Sequence, residues 1–405
     1  MRKKLLLALL FVFTLSTILA GCGSSDDSAS NGSNDSAEKE AKLEVIKIGT
    51  QSPLSGPISA MGEAIKTGAE LAISDNKDKF AELGFEIKLF PQDDQADPKQ
   101  GVANAEMLVS DEDVLVVVGH LNSGVARAAG PKYEAGGVSV ISPANTAVDL
   151  TESGWTTFHR IVARDDVQGP AGAKFAFEEL GVKTVFVVHD KTAYGEGLAD
   201  AFKQGAENLG VEVLGYEGQE VTQTDFSPIV NKIITLKPDA VYFGGMYNQT
   251  ALLLKQAVEK GFDGYYLSGD GSDSPDFLQI AGLEASKNAY ITSVAGDATK
   301  TEKGKEWTER YKEKFGKVPN TFAVYGYDAT LVALNGLEEA IKANDGKKPT
   351  REQVNKAVTA TKDFKGIFAT VTFDEKGDNI NSDIFIYSYK NGSYPAEFIK
   401  SISSK

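Results

Sequence analysis

Residues 114–146 read VLVVVGHLNSGVARAAGPKYEAGGVSVISPANT, and they settle the architecture. The stretch opens on an unbroken apolar run, Val114 to Gly119. It then crosses a polar turn into a helix-forming segment from Gly124 to Ala135, and returns to an apolar run from Val138 to Ser142. A strand that is apolar on both faces needs cover on both faces. A parallel sheet finds that cover in the helices of its crossover connections, so the stretch predicts a strand–helix–strand unit.

The same alternation extends in both directions. Upstream, Val45 to Thr50 (VIKIGT) predicts a strand, Ala60 to Asn76 a helix, Phe85 to Phe90 a strand and Pro98 to Ser110 a helix. Downstream a second series begins with a helix over Ala171 to Leu180, a strand over Thr184 to His189 and a helix over Glu196 to Leu209. It continues with strands over Val211 to Tyr216, Ala240 to Phe243 and Tyr265 to Ser268, separated by helices over Ser227 to Leu236 and Gln249 to Lys260. Helices over Trp307 to Phe315 and Tyr325 to Ala343 read as additions to one of the units. The chain is too long for one ordinary core. Two doubly wound parallel sheets are therefore expected, with a cleft between them, and ligands bind at the carboxyl ends of such strands.

The N-terminus points to export. Arg2, Lys3 and Lys4 precede an apolar run from Leu5 to Ala20, the layout of a signal peptide, and the run is short for a spanning helix. Leu19-Ala20-Gly21-Cys22 reads as a bacterial lipobox, in which the Cys22 thiol takes a diacylglyceryl group. Cys22 is the one cysteine, so no internal disulfide is possible. Residues 1–21 are the expected signal peptide. Residues 22–42 are an acylated tether, because Ser24 to Glu40 holds almost nothing apolar to bury. Loss of the leader takes Lys+Arg from 42 to 39 against 57 Asp+Glu, and the net charge from −15 to −18. A surface this acidic excludes nucleic acid as a partner and leaves the acyl chains as the membrane attachment.

Chemistry concentrates just after the strands. Ser123 stands where an N-cap belongs, and either caps its helix or offers a hydroxyl beside bare N–H groups to a carboxylate. Ala144 and Thr146 lie in the turn after the strand ending at Ser142, supplying a carbonyl, a hydroxyl and an N–H. Tyr194 sits at a loop tip as a lid for a small ligand. Gly195 and Gly197 do not make a dinucleotide fingerprint, because Asp200 stands at the third glycine position. Asp270, between Gly269 and Gly271, is either a turn former or the partner of an ammonium group. A donor-rich helix start in one unit and an acid in the other together suit a zwitterion.

These residues, with Asp97-Pro98-Lys99-Gln100, Val118-Gly119-His120, Gln168-Gly169-Pro170, His189-Asp190-Lys191, Tyr242-Phe243-Gly244-Gly245 and Phe373-Asp374-Glu375-Lys376-Gly377-Asp378, resemble the leucine/isoleucine/valine-binding proteins of branched-chain amino-acid ABC importers. The resemblance implies a type I periplasmic-binding fold, two doubly wound α/β lobes joined by a three-stranded hinge. Lobe 1 would hold residues 43–164 and 294–373, and lobe 2 residues 165–293 and 374–405. It implies Ser123 and Thr146 on the ligand carboxylate, and Ala144, Thr146 and Asp270 on the ammonium. Tyr194, Asn122, Met246 and Tyr247 would line the ligand. It further implies a monomer with no cofactor or metal, working with a permease and its ATPase subunits from outside the cytoplasm. Four positions depart from the family pattern: Asp270 replaces the usual Glu, Met246 replaces a tyrosine, and Ala96 and Asn122 stand where some relatives carry a cysteine pair. The ligand side chain therefore stays open at this point.

An enzyme is not expected, since the chain has no Gly-x-Ser-x-Gly elbow, Walker loop or His-Glu-x-x-His, and His120, His159 and His189 are scattered. A sensory module using the same cleft is the alternative, as is an importer component for an amide, urea or aromatic acid. The acid at Asp270 speaks for an amine, because without one it would be buried unpaired.

Overall fold

A computed structural model describes residues 43–403. The expected signal peptide, tether and lipid site at Cys22 lie outside the described residues.

The first sheet contains β1 (Glu44–Ser52), β2 (Phe85–Asp93), β3 (Val114–Gly119), β4 (Ser139–Ser142) and β5 (Phe158–Arg160). They run parallel in the order β2-β1-β3-β4-β5. Its connections are α1 (Ser59–Glu82), α2 (Pro98–Ser110), α3 (Ser123–Gly136) and the short α4 (Asp149–Glu152). Every residue of β3 is buried, as its apolar run requires.

The chain then enters α5 (Asp165–Glu178) and a second parallel set, β6 (Thr184–His189), β7 (Glu212–Gly218), β8 (Ala240–Gly244), β9 (Tyr265–Ser268) and β10 (Ala289–Ser293). These strands alternate with α6 (Ala193–Asn208), α7 (Ser227–Leu236), α8 (Tyr247–Glu259), α9 (Pro275–Ala281) and α10 (Leu283–Ser286). After β10 come α11 (Glu302–Phe315), α12 (Thr321–Ala343) and α13 (Arg351–Thr359), which return to the first sheet. There Tyr311 Oη pairs with Thr67 Oγ1 of α1 at 2.7 Å, and Arg351 donates to the carbonyls of Val109 and Asp111. A small ladder of β11 (Phe364–Lys365) and β12 (Thr370–Val371) follows. The chain ends on β13 (Asp383–Ser388) and β14 (Glu397–Ser403), antiparallel additions that give the order β14-β13-β10-β9-β8-β6-β7.

The strand order reverses direction at β1/β3 and again at β6/β8, and each reversal opens a crevice at the carboxyl ends of those strands. A single apolar cluster runs from Ile46 and Val116 to Val187 and Ile291. A smaller one fills the other face of the first sheet around Ala129, Tyr133 and Val140.

Three features depart from expectation. Helix α5 begins at Asp165, six residues before the expected Ala171, because Pro170 sits inside the helix and its missing N–H hides the first turn in the sequence. Helix α12 begins at Thr321, four residues before the expected Tyr325, where Asn320 accepts from Phe322 N at 2.9 Å. Strand β5 is three residues long and holds His159 and Arg160, so it gives no apolar run to read.

Candidate functional site

Two loops of the first sheet are welded by Asn145. Its Nδ2 donates to Leu121 O at 2.9 Å after β3, and its Oδ1 accepts from His120 N and from Ser142 Oγ. Arg160, fully buried in β5, reaches the same loop: its Nη1 donates to the carbonyls of Asn145 (3.1 Å) and Ala147 (2.9 Å). Its Nη2 donates to Thr151 and its Nε to Asp378. A buried guanidinium with all three nitrogens engaged is a rigid brace.

Ser123 does not cap α3, contrary to expectation. The Asn122 carbonyl already accepts from Val125 and Ala126, so the helix starts one residue earlier and Ser123 is its first residue. The Ser123 hydroxyl instead accepts from Ala147 N at 3.5 Å. Thr146 is fully buried, its carbonyl accepts from Asp165 N at 2.9 Å, and its hydroxyl has no well-formed hydrogen bond.

From the second sheet, α6 starts after β6 under a Thr192 cap, whose Oγ1 accepts from Gly195 N at 2.9 Å. This start lies hard against the end of β8. A Cβ at Gly244 would sit 2.2 Å from Gly195 O, so only glycine permits the approach. Tyr194 is thereby aimed at the turn after β9, where its Oη donates to Asp270 Oδ1 (2.9 Å) and accepts from Gly271 N (2.8 Å). Gln168 Nε2 of α5 donates to the same carboxylate oxygen at 2.9 Å.

These elements meet around a narrow cavity, with about 10 Å³ of free space. Asn122 and Ala144 line it from the first sheet, and Tyr194, Met246 and Asp270 from the second. Leu121, Gly271 and Phe322 complete it. Five of the expected residues thus meet in one space, with Ser123 and Thr146 in the two loops beside it. Tyr247 is not among the lining residues: its hydroxyl donates to Pro57 O at 2.7 Å, because α8 begins at Tyr247 and turns it toward the β1–α1 loop.

The electrostatics centre on two acids. Burial pushes Asp270 up to about 6, against the bonds from Gln168 and Tyr194 that favour its charged form. Asp165, first residue of α5, is fully buried, and neither carboxylate oxygen has a well-formed hydrogen bond among the described residues. Burial first, then the neighbouring Asp270, hold it well above the usual carboxylate range, while Thr146 and Arg160 act the other way. The buried Tyr242 hydroxyl, also unpartnered, feels both acids. Two acids, an unbonded hydroxyl and a nearby carbonyl form an acceptor-rich corner suited to an ammonium.

Sequence reading passed over Asp165 and Phe322, since each stands at a helix start it placed too late. Gln168 was visible only within a motif, with no role attached. Among the described residues no group of three or more His, Cys, Asp or Glu side chains could hold a metal ion.

Comparison with known proteins gives the family. The family model described as periplasmic binding protein matches residues 45–393. A Brucella abortus protein named Leu/Ile/Val-binding protein homolog 1 is 33% identical over 350 residues, 86% of this chain and 91% of the relative. The leucine-, isoleucine-, valine-, threonine-, and alanine-binding protein of Pseudomonas aeruginosa is 32% identical over 346 residues, 85% of this chain and 90% of its own length. Among solved structures, the leucine binding protein LivK of Thermotoga maritima superposes with a TM-score of 0.81 at 31% identity, covering 89% of this chain and 99% of that one. The branched-chain amino acid transporter substrate binding protein LivJ of Streptococcus pneumoniae, in complex with isoleucine, gives 0.79 at 28%, covering 88% and 100%.

Proposed function

The chain belongs to the Leu/Ile/Val-binding group of the periplasmic binding protein family, and from that premise we propose that it is the extracytoplasmic substrate-binding component of an ABC importer, capturing a free aliphatic amino acid. The observation that carries this reading is the cavity at the strand ends of both sheets, with the buried Asp270 in its lining and the buried Asp165 near enough to interact with it electrostatically. The ligand carboxylate sits against Ser123, Thr146 and the first turn of α3. Its ammonium donates to Ala144 O, Thr146 Oγ1 and Asp270, with Asp165 as a further acceptor. Leu121, Met246 and Phe322 give the cavity apolar walls, which favours an aliphatic side chain over a polar one.

Two lobes, residues 43–164 with 294–373 and residues 165–293 with 374–405, close around this ligand. In support, α11–α13 are tied to α1 and β3, whereas β13 and β14 pair with β10. The family is one of binding proteins, and no enzymatic step is assigned. From the sequence alone, Cys22 carries the diacylglyceryl anchor that keeps the mature protein at the membrane, as a monomer, within reach of a permease.

A ligand bound only by the native state raises the melting temperature, by the equivalent of about 2.7 kcal/mol at a hundredfold excess over Kd. The protein from Leu43 onward, screened against the common amino acids with amides and aromatic acids as controls, is expected to respond to leucine, isoleucine and valine. A response confined to the controls, or to none, overturns the proposal. Cys22→Ser in cells is expected to move the protein from the membrane to the soluble fraction.

A further inference from the structure

The β11–β12 hairpin takes no part in the amino-acid cavity, yet its tip is anchored by a buried acid. Asp328, fully buried in α12, accepts from three consecutive amides of that tip: Ile367 N at 2.6 Å, Phe368 N at 2.9 Å and Ala369 N at 2.8 Å. Successive N–H groups curled round one carboxylate form a nest, and its charge-assisted bonds fix the turn. Lys303 of α11 holds the same turn from another side, donating to Gly366 O at 2.6 Å.

The anchored tip presents Phe368 to the place where the chain leaves the second sheet. After β10, Val294, Ala295 and Gly296 carry the chain toward α11. A Cβ at Gly296 would sit 1.8 Å from Phe368 Cζ, so the ring lies directly on that residue. The ring also packs on Tyr325 of α12, with centroids 5.9 Å apart, and edge-on against Phe385 of β13 at 5.6 Å. The Tyr325 hydroxyl accepts from Gly296 N at 3.3 Å, and Phe385 pairs with Ser293 at the end of β10. One side chain therefore touches a helix that packs on α1 of the first sheet, a strand of the second sheet, and the segment joining the two.

We infer that Phe368, held in place by Asp328, is a positioning residue for capture: a hinge pin that favours the closed arrangement of the two halves and so sets leucine affinity. The inference rests on the two-lobe reading above. Opening turns the halves about the joining segments, which parts the ring from Phe385 and Gly296 while the hairpin tip stays on α12. Contacts made in one arrangement and lost in the other shift the balance between them. Phe368 is not among the residues lining the amino-acid cavity, so its effect on binding passes through that balance. The apparent affinity then scales with the fraction of molecules in the closed arrangement.

The test uses the full chain carrying Cys22→Ser, which has no other cysteine, with Lys99→Cys and Val221→Cys placing one dye on each lobe at exposed positions. Calorimetry reads leucine affinity, and single-molecule energy transfer between the dyes reads the closed fraction. In this parent, leucine should raise the closed fraction. Phe368→Ala should weaken leucine about 3- to 10-fold and lower the leucine-free closed fraction by the same factor. At saturating leucine the dye separation should match the parent. Phe368 is half-buried on a hairpin, so its truncation leaves the fold in place. Gly296→Ala, which drives a methyl into the ring, should weaken leucine about as much. In the double variant the methyl takes space that the ring has vacated. Its loss should be no greater than that of Phe368→Ala alone, where independent sites would multiply. Lost packing with no bearing on the hinge would leave the closed fraction of folded molecules unchanged. The pin is overturned, with the two-lobe reading intact, if the parent closes on leucine but Phe368→Ala changes Kd less than twofold. Losses that multiply in the double variant, or a weaker Kd with the closed fraction unaltered, overturn it equally. A parent in which leucine moves neither dye overturns the two-lobe reading and the pin together.

Discussion

Asp165 and Asp270 are the residues on which recognition of an amino group turns in the proposed function. Asp270 Oδ1 is held by Tyr194 and Gln168, whereas neither oxygen of Asp165 has a well-formed hydrogen bond among the described residues. A hydrogen bond to a charged group contributes about 1.5–3 kcal/mol, so Asp270→Asn or Asp165→Asn is expected to weaken leucine binding about 10- to 100-fold in calorimetric titration. A change under twofold in either variant takes that residue off the ammonium. The raised value of Asp270, about 6 against an ordinary 3.8, also sets two pH dependences of opposite sign. For folding, the native state prefers the protonated acid. Its contribution to stability is therefore full below pH about 4 and lost as pH rises through about 6. Asp270→Asn should then be less destabilising at pH 7 than at pH 4, as read by urea denaturation. For binding, the ammonium needs the anion, so leucine affinity should fall as pH drops from 7.5 through 6 to 5. A Kd flat across that range would contradict the role given to Asp270.

At the scale of elements, the site is held by how closely helix starts approach strand ends. The start of α6 rests on the end of β8 only because residue 244 is glycine. Gly244→Ala would press a methyl to 2.2 Å from Gly195 O. We expect a loss of about 1–3 kcal/mol from this overpacking, together with weaker leucine binding as Tyr194 is displaced. Strand β5 acts through Arg160, whose guanidinium carries the Asn145 and Ala147 carbonyls on one side and Asp378 on the other. Arg160→Met leaves a buried carboxylate with Arg164 as its remaining cationic partner. A loss of about 3 kcal/mol in chemical denaturation is expected. A loss below 1 kcal/mol would show that the loop after β4 does not depend on that brace.

For the whole molecule, capture is a matter of bringing the two sheets' strand ends together and keeping them so. In the proposed function Tyr247 serves this from outside the cavity, its hydroxyl joining α8 to the Pro57 carbonyl in the β1–α1 loop. Tyr247→Phe should weaken leucine binding about 2- to 10-fold, mostly through faster release measured by stopped flow, since a single neutral hydrogen bond is worth about 0.5–1.5 kcal/mol. The strands that build both parallel sheets were legible in the sequence, because a run such as VLVVVG can be satisfied only inside a covered sheet. Ala144, Tyr194 and Asp270 were legible as candidates, because residues just after such strands face the crevice, and Asn122 and Met246 through the family resemblance. Asp165 was not, since its helix start is hidden by Pro170, and neither was the turning of Tyr247 toward Pro57. Local composition thus determined which segments become strands and helices, and therefore where a site has to lie. Which side chains face into it, which acid is left without a well-formed hydrogen bond and which tyrosine ties the halves together were decided only by tertiary packing. Each depends on partners between 15 and 190 residues away in the chain, at distances that spacing along the chain does not encode.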